Sequence, residues 1–125
     1  MKRKGVLCFI KKDNKVLMIL VSYGDKSIWN GVSGFIDSGE NSKEAVIREI
    51  KEEIGITVDV SSLQFKGTHV VSEELSLEVF TTTKWEGVPA SKEESIKEVQ
   101  WFKIDKLPFE QMFPDNKDWV PELIK

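Results

Sequence analysis

Nothing in this chain restricts its fold more than the segment from Gly34 to Ile56, GFIDSGENSKEAVIREIKEEIGI, where an apolar stripe and a set of acids share one short helix. The helix is expected to begin at Asn41 or Ser42. Asn41 can accept from the free N–H groups of the first turn, and Glu44, three residues on, completes a capping box. Gly55 supplies the stop, because glycine takes the left-handed conformation after the last turn without strain. On a 3.6-residue period Val46, Ile50 and Ile54 form one stripe that Ile47 widens, and such a stripe must bury. Glu49 and Glu53 lie one turn apart with Glu52 beside them, so three carboxylates occupy one arc at its edge. Like charges at these spacings cost a helix roughly 0.2 to 0.5 kcal/mol per pair. A hard divalent cation such as Mg²⁺, which takes oxygen ligands, would offset that repulsion. The alternative is a solvated acidic face.

The rest of the chain reads mainly as strands. Gly5 to Lys12 and Lys15 to Ser22 are nearly continuous apolar runs around Asp13-Asn14, which is hairpin chemistry, and both suit strands buried on two faces. Tyr23 to Asn30 reads as a polar loop leading into Ile28-Trp29-Asn30-Gly31. After the helix come a short β-rich piece, Thr57 to Val60, and two longer strands, Leu63 to Ser72 and Leu75 to Trp85, around a Glu73-Glu74 turn. In the second of these Leu75, Leu77, Val79 and Thr81 alternate with Ser76, Glu78 and Phe80, which implies one covered face. Glu86 to Pro89 is a turn and Ala90 to Lys97 a charged loop. Val99 to Lys103 is a further strand, Phe109 to Phe113 one helical turn, and Trp119 to Ile124 a short helix with Pro121 in its first turn. Strands that do not alternate with helices indicate an α+β fold class.

A length of 125 residues suits one domain, residues 1–125, that buries roughly two-thirds of its unfolded surface. A net charge of -3 argues against nonspecific binding to a nucleic acid polymer or an anionic membrane, so a polyanionic ligand would need a metal or a local basic patch. Cys8 is the only cysteine. It excludes an intrachain disulfide and a cysteine-based zinc site, and makes a reducing, cytoplasmic location the default. The apolar run VLCFI is too short for a signal peptide or a membrane span.

The spacing of the central segment, G-x5-E-x7-R-E-U-x-E-E-x-G-U with U aliphatic, resembles the Nudix box at every specified position. A chance match in a chain this long is on the order of one in ten million or rarer. The resemblance implies a mixed β-sheet sandwiched between helices (α/β/α), with the box as a loop-helix-loop. It also implies hydrolysis of a nucleoside diphosphate linked to another moiety, with a divalent metal, Mg²⁺ or Mn²⁺ in its place. In that family Glu49 and Glu53 would be principal metal ligands, the Gly34 carbonyl a further one, and Glu52 a ligand or the general base; Glu52 and Glu53 both stay open as the base. Arg48 and Glu40 would orient the glutamates through salt bridges. Some Nudix enzymes recruit one more acid from a distal loop. Glu93, Glu94 and Glu98 are the candidates here, and the spacing does not choose among them.

The box fixes a reaction rather than a nucleoside. The run LPFEQMFPDNKDWVP, Leu107 to Pro121, is similar to the tail of the MutT-type oxidised purine nucleoside triphosphatases, in which it lines the base pocket. That likeness implies that Asn30, Phe113, Asp115 and Asn116 contact the base, with polar groups on its edge and the ring of Phe113 stacked on its face. Phe113 replaces a tryptophan and Asn116 an aspartate. Ser33 stands where many boxes have glycine, and Leu20-Val21-Ser22 lacks the basic residues common at that strand end. The same tail is also expected to pack Trp101, Phe109 and Trp119 onto the sheet, and His69 reads as a packing or surface residue. An 8-oxo-dGTP-like nucleotide is the expected small-molecule substrate. ADP-ribose, dinucleoside polyphosphates and a non-catalytic nucleotide-binding role are the alternatives.

Overall fold

The two apolar runs form a hairpin, β1 (Arg3–Lys12) and β2 (Lys15–Tyr23), whose tight turn places Asp13 in the left-handed region at φ 57°. The structure, a computed structural model, describes residues 2–125. The hairpin strands share register only from Ile10 to Lys12 against Lys15 to Leu17. Beyond that they part. The first half of β1 pairs with β4 (Val32–Phe35), and the second half of β2 pairs with β3 (Lys26–Asn30). Strand β3 occupies what the sequence suggested was loop. Its polar residues Lys26 and Ser27 are exposed at one end while Trp29 and Asn30 are buried at the other, so register against β2 overrides composition there.

On its other edge β1 runs parallel to β7 (Leu75–Thr82), which pairs antiparallel with the edge strand β6 (Gln64–Ser72). Strand β9 (Ile96–Lys103), three residues longer at its start than expected, pairs with β2. The result is a mixed seven-stranded sheet, with β5 (Thr57–Val58) and β8 (Trp85–Glu86) making a separate two-stranded ladder.

Alternation along β1 decides the layers. Val6, Cys8 and Ile10 face the helix α1 (Ser42–Ile54), where Val46, Ile50 and Ile54 are buried as the stripe required. Leu7 and Phe9 face the other way and pack with Val120 and Ile124 at the end of helix α2 (Asn116–Leu123). Each such aliphatic side chain contributes about 1.5 to 3 kcal/mol by leaving water. Because helices cover both sides, the last four residues of β7 are buried on both faces, where alternation alone implied one. Helix α2 begins three residues before Trp119, which puts Pro121 in its interior rather than its first turn. Burial of Val120 on one side of that proline and Ile124 on the other holds the short helix despite the missing N–H. Phe109 to Gln111 form the single helical turn before it.

Trp101 and Phe109 do not join Trp119. Trp101 stands on the α1 side, stacked on Trp85 at 5.8 Å, and Phe109 is exposed. Burial pushes the Cys8 thiol well above its ordinary range, so it behaves as a small apolar side chain.

Candidate active site

Helix α1 carries the acids, and its start is fixed as its sequence indicates. The Glu44 N–H donates to Asn41 Oδ1 at 2.8 Å and the Asn41 N–H donates to Glu44 Oε1 at 2.9 Å. At the other end Gly55, at φ 76°, donates its N–H to the Lys51 carbonyl. Strand β4 then brings Gly34 against the middle of the helix. A Cβ on Gly34 would overlap the carboxyl group of Glu49, so a side chain there would force the end of Glu49 to move, an effect of contact and not of backbone conformation. The Gly34 carbonyl oxygen lies beside Gly5, 2.8 Å from where a Cβ on Gly5 would stand.

Arg48 is the hub of the cluster. Its Nε and Nη2 donate to the two oxygens of Glu40 at 2.8 and 3.0 Å, Nη1 donates to Glu49 Oε1 at 2.7 Å, and Nη2 also donates to the Phe35 carbonyl at 2.9 Å. A bidentate fork of this kind fixes geometry as well as charge. The guanidinium, together with the Asp37 N–H, holds the Glu40 carboxyl down at about 2. The acids in turn hold Arg48 above its ordinary range, Glu40 most of all. Glu52 is the outlier. Its Oε2 sits 3.4 Å from Arg48 Nη1 and its side chain is 52% exposed.

Glu53 is only 8% exposed. Its carboxyl is raised to about 9, chiefly because burial removes water from the charged form, next through its contact with Glu49, and then by the charges of Glu49, Glu93 and Glu52. The loop that carries Glu93 is tied to the end of α1, since the Lys92 N–H donates to the Glu53 carbonyl at 2.9 Å and the Ala90 N–H to that of Ile54 at 3.1 Å. All three distal acids are exposed, Glu98 on β9 opposite Leu20, and of the three it is the charge of Glu93 that bears on Glu53.

The donor chemistry fits a hard divalent cation. Glu49, Glu52 and Glu53 offer only carboxylate oxygens, glycine at 34 leaves room beside Glu49, and a divalent charge would favour the ionised Glu53 that burial opposes. As they stand, no three acid, imidazole or thiol side chains among the described residues converge within ion-binding distance. Arg48 accounts for this, drawing Glu49 and the nearer oxygen of Glu52 to itself.

Beside the cluster opens a cavity of about 760 Å³. Asn30, Phe113, Asp115 and Asn116, named from the sequence, all line it, and Gly34 and Phe35 of the box form part of the same wall. The Gly31 N–H donates to Asn30 Oδ1 at 2.8 Å, which leaves the Asn30 amide N–H₂ as a buried donor. Asn116 is 3% exposed in the first turn of α2. Phe113 lies 5.8 Å from Tyr23, ring to ring, at the opening. The Arg3 guanidinium stacks 3.5 Å over the ring of Phe35, which places one cation close to that wall.

Tyr23 and His69 are among the cavity residues that the sequence does not mark. Tyr23 reads as loop but ends β2. His69 does pack, stacked on Trp119 at 4.2 Å, yet it also lines the cavity and its Nε2 lies 3.2 Å from Asp115 Oδ2. Neither carries a motif. The usable signal was alternation on β7, which puts Leu75 and Leu77 on one face and makes that face a wall.

The sequence pattern of the NUDIX domain matches residues 1–123. The chain belongs to the NUDIX family. This Nudix chain is 36% identical over 101 residues to an oxidized purine nucleoside triphosphate hydrolase of Danio rerio, an alignment covering 78% of the chain and 63% of that protein, under two-thirds of its length. It is 32% identical over 124 residues to an ADP-ribose pyrophosphatase of Methanocaldococcus jannaschii, covering 88% of the chain and 70% of that protein. A MutT NUDIX hydrolase of Burkholderia pseudomallei has the same fold, with a TM-score of 0.86 over 100% of this chain and 99% of that one at 23% identity. Nudix hydrolases generally use a divalent metal. The α/β/α sandwich and the loop-helix-loop are those of the family, and no described helix of this Nudix chain is long and apolar enough to cross a membrane.

Proposed function

We propose that residues 1–125 form one Nudix hydrolase domain, cytoplasmic, that cleaves a nucleoside triphosphate to a nucleoside monophosphate and pyrophosphate. An oxidised guanine nucleotide such as 8-oxo-dGTP suits it best, and Mg²⁺ is the ion, replaceable by Mn²⁺. The observation that carries this reading is the shared wall. Gly34 and Phe35 belong both to the acidic box and to a cavity whose far side presents Asn30, Phe113, Asp115 and Asn116, so a base held there directs its phosphates at the acids.

Glu49, Glu53 and the Gly34 carbonyl would hold the ion, with Glu52 as a further ligand or as the proton acceptor. When bound, the ion neutralises phosphate oxygens and acidifies the attacking water. The chain supplies the rest. Water oxygen attacks phosphorus, its proton passes to a carboxylate, and the anhydride bond to pyrophosphate breaks. Glu52, open to solvent, is the more accessible acceptor, whereas Glu53 is enclosed. Arg48, anchored by Glu40 and the Phe35 carbonyl, keeps Glu49 in place. Stacking of a base on Phe113 is worth roughly 1 to 3 kcal/mol, and the Asn30 amide and the Asp115 carboxylate supply a donor and an acceptor for its edge.

The alignment with an ADP-ribose pyrophosphatase covers more of the chain than that with the purine nucleotide enzyme and supports a second reading. One experiment separates them. The protein is incubated with Mg²⁺ and 8-oxo-dGTP, dGTP, dATP or ADP-ribose, and products are resolved by chromatography. The first reading expects monophosphate and pyrophosphate, fastest from 8-oxo-dGTP. Dominant release of AMP and ribose phosphate from ADP-ribose would replace it with the second, and no product from any substrate would remove both.

A further inference from the structure

Asp115 stands at the N-cap position of α2, where a carboxylate ordinarily accepts from the first-turn N–H groups, yet its side chain makes no capping hydrogen bond. It lies instead against an imidazole from the opposite side of the cavity, with His69 Nε2 3.2 Å from Oδ2. His69 projects from the edge strand β6, and its ring is stacked on Trp119 of α2 at 4.2 Å and 22° between planes. Asp115 itself takes a helical backbone, φ -81° and ψ -10°, and its carboxylate is met by a ring that the indole holds in turn. All three side chains line the cavity.

We infer that His69 is a specificity-positioning residue, which turns Asp115 toward the cavity so that the site selects a 2-amino-6-oxopurine over an adenine. The inference rests on the base-pocket reading above and names the base edge it prefers. With Oδ2 facing the imidazole, Oδ1 is left for a ligand. A carboxylate only accepts, so it pairs with the ring N–H and exocyclic amine that a guanine-type edge offers side by side. Asn30, which lines the same cavity, has its oxygen committed to the Gly31 N–H and presents only its amide donor, which suits the 6-oxo group. Adenine inverts the ring position. Its unprotonated ring nitrogen would set a lone pair against a carboxylate lone pair and leave both without a partner, a mismatch that a hydrogen-bonding site discriminates against.

The test compares kcat/KM for dGTP and dATP, with Mg²⁺, in the wild type, His69→Phe, His69→Gln and Asp115→Ala. Phenylalanine keeps a ring on Trp119 and removes the nitrogen, and the dGTP to dATP ratio should fall about tenfold. Glutamine returns an N–H near the position of Nε2 and should recover most of the ratio. Adding His69→Phe to Asp115→Ala should change the ratio no further, because the histidine acts through the carboxylate. A ratio unchanged in His69→Phe, or one that falls again in the double variant, overturns the inference while leaving the hydrolase reading intact. If the wild type hydrolyses neither nucleotide, it is the hydrolase reading that fails. Calorimetric affinities for GMP and AMP across the same variants then decide the role of His69 by the same tenfold criterion.

Discussion

Substitution of Gly34 by alanine tests the box at its tightest contact. The new Cβ would occupy the place of the Glu49 carboxyl, whose Oε1 accepts from Arg48 at 2.7 Å. Glu49 must then rotate. Leaving its rotamer costs about 0.5 to 1.5 kcal/mol, and losing a charge-assisted hydrogen bond about 1.5 to 3 kcal/mol. Alanine returns about 0.5 to 1 kcal/mol over glycine in a strand, which leaves a net loss of about 1 to 4 kcal/mol in a urea unfolding curve. Turnover should suffer far more. If Glu49 holds the ion as proposed, its displacement by an ångström costs on the order of 10²-fold. Gly87→Ala is the control. Gly87 sits at φ 103° in a turn where a Cβ would meet Ile56 and Gly55 only at ordinary van der Waals distance, 3.5 Å or more, so a side chain there costs about 1 to 2 kcal/mol of strain without reaching the acids. Similar losses of stability with a hundredfold difference in pyrophosphate release are expected. Gly34→Ala activity within twofold of Gly87→Ala would refute the contact argument.

Glu53 links stability to pH in chelator. Its folded value of about 9 lies above the ordinary 4.5, so the folded state keeps a proton that the unfolded chain gives up. The stabilisation is whole below 4.5 and declines as pH rises toward 9, at no more than about 1.4 kcal/mol per unit. Glu53→Gln, which imitates the protonated acid, should flatten that slope and be the more stable protein at pH 8; urea midpoints from pH 5 to 9 that keep the wild-type slope would show the origin lies elsewhere. Millimolar Mg²⁺ should raise the wild-type melting temperature at pH 7.5 and release protons into the buffer, and do neither in Glu53→Gln. Asp115→Ala should reduce the preference for 8-oxo-dGTP over dATP by about 10- to 100-fold while pyrophosphate release from the poorer substrate persists. An unchanged preference would detach the cavity from base recognition.

The sequence exposed what is local. The stripe of α1, its Asn41 and Gly55 ends and the hairpin at Asp13 each depend on residues a few positions apart, and each stands where periodicity put it. It was weaker where a distant strand decides. Lys26 to Asn30 has the composition of a loop and becomes β3 because β2 offers it a ladder, while β7 gains a second covered face only because α2 returns from the end of the chain. The site divides the same way. Glu49 and Glu53 lie one turn apart in one helix, so that pairing could be read from spacing, whereas the contact of Arg48 with Glu49 followed only from the family resemblance, and His69 and Asp115 are 46 positions apart and meet only through α2 docking.

Tyr23 shows what such distant pairing adds. Its hydroxyl is pushed up by burial and then by the charge of Glu53, while its ring lies 5.8 Å from Phe113. One side chain thus senses the acidic box and borders the base cavity, from the last position of a strand whose register against β3 and β9 fixes where it ends. In the proposed function a base seated against Phe113 would lie beside the Tyr23 ring, and a phosphate group brought to the acids would alter the field that the Tyr23 hydroxyl feels, so both ends of the substrate would bear on the same β2 terminus.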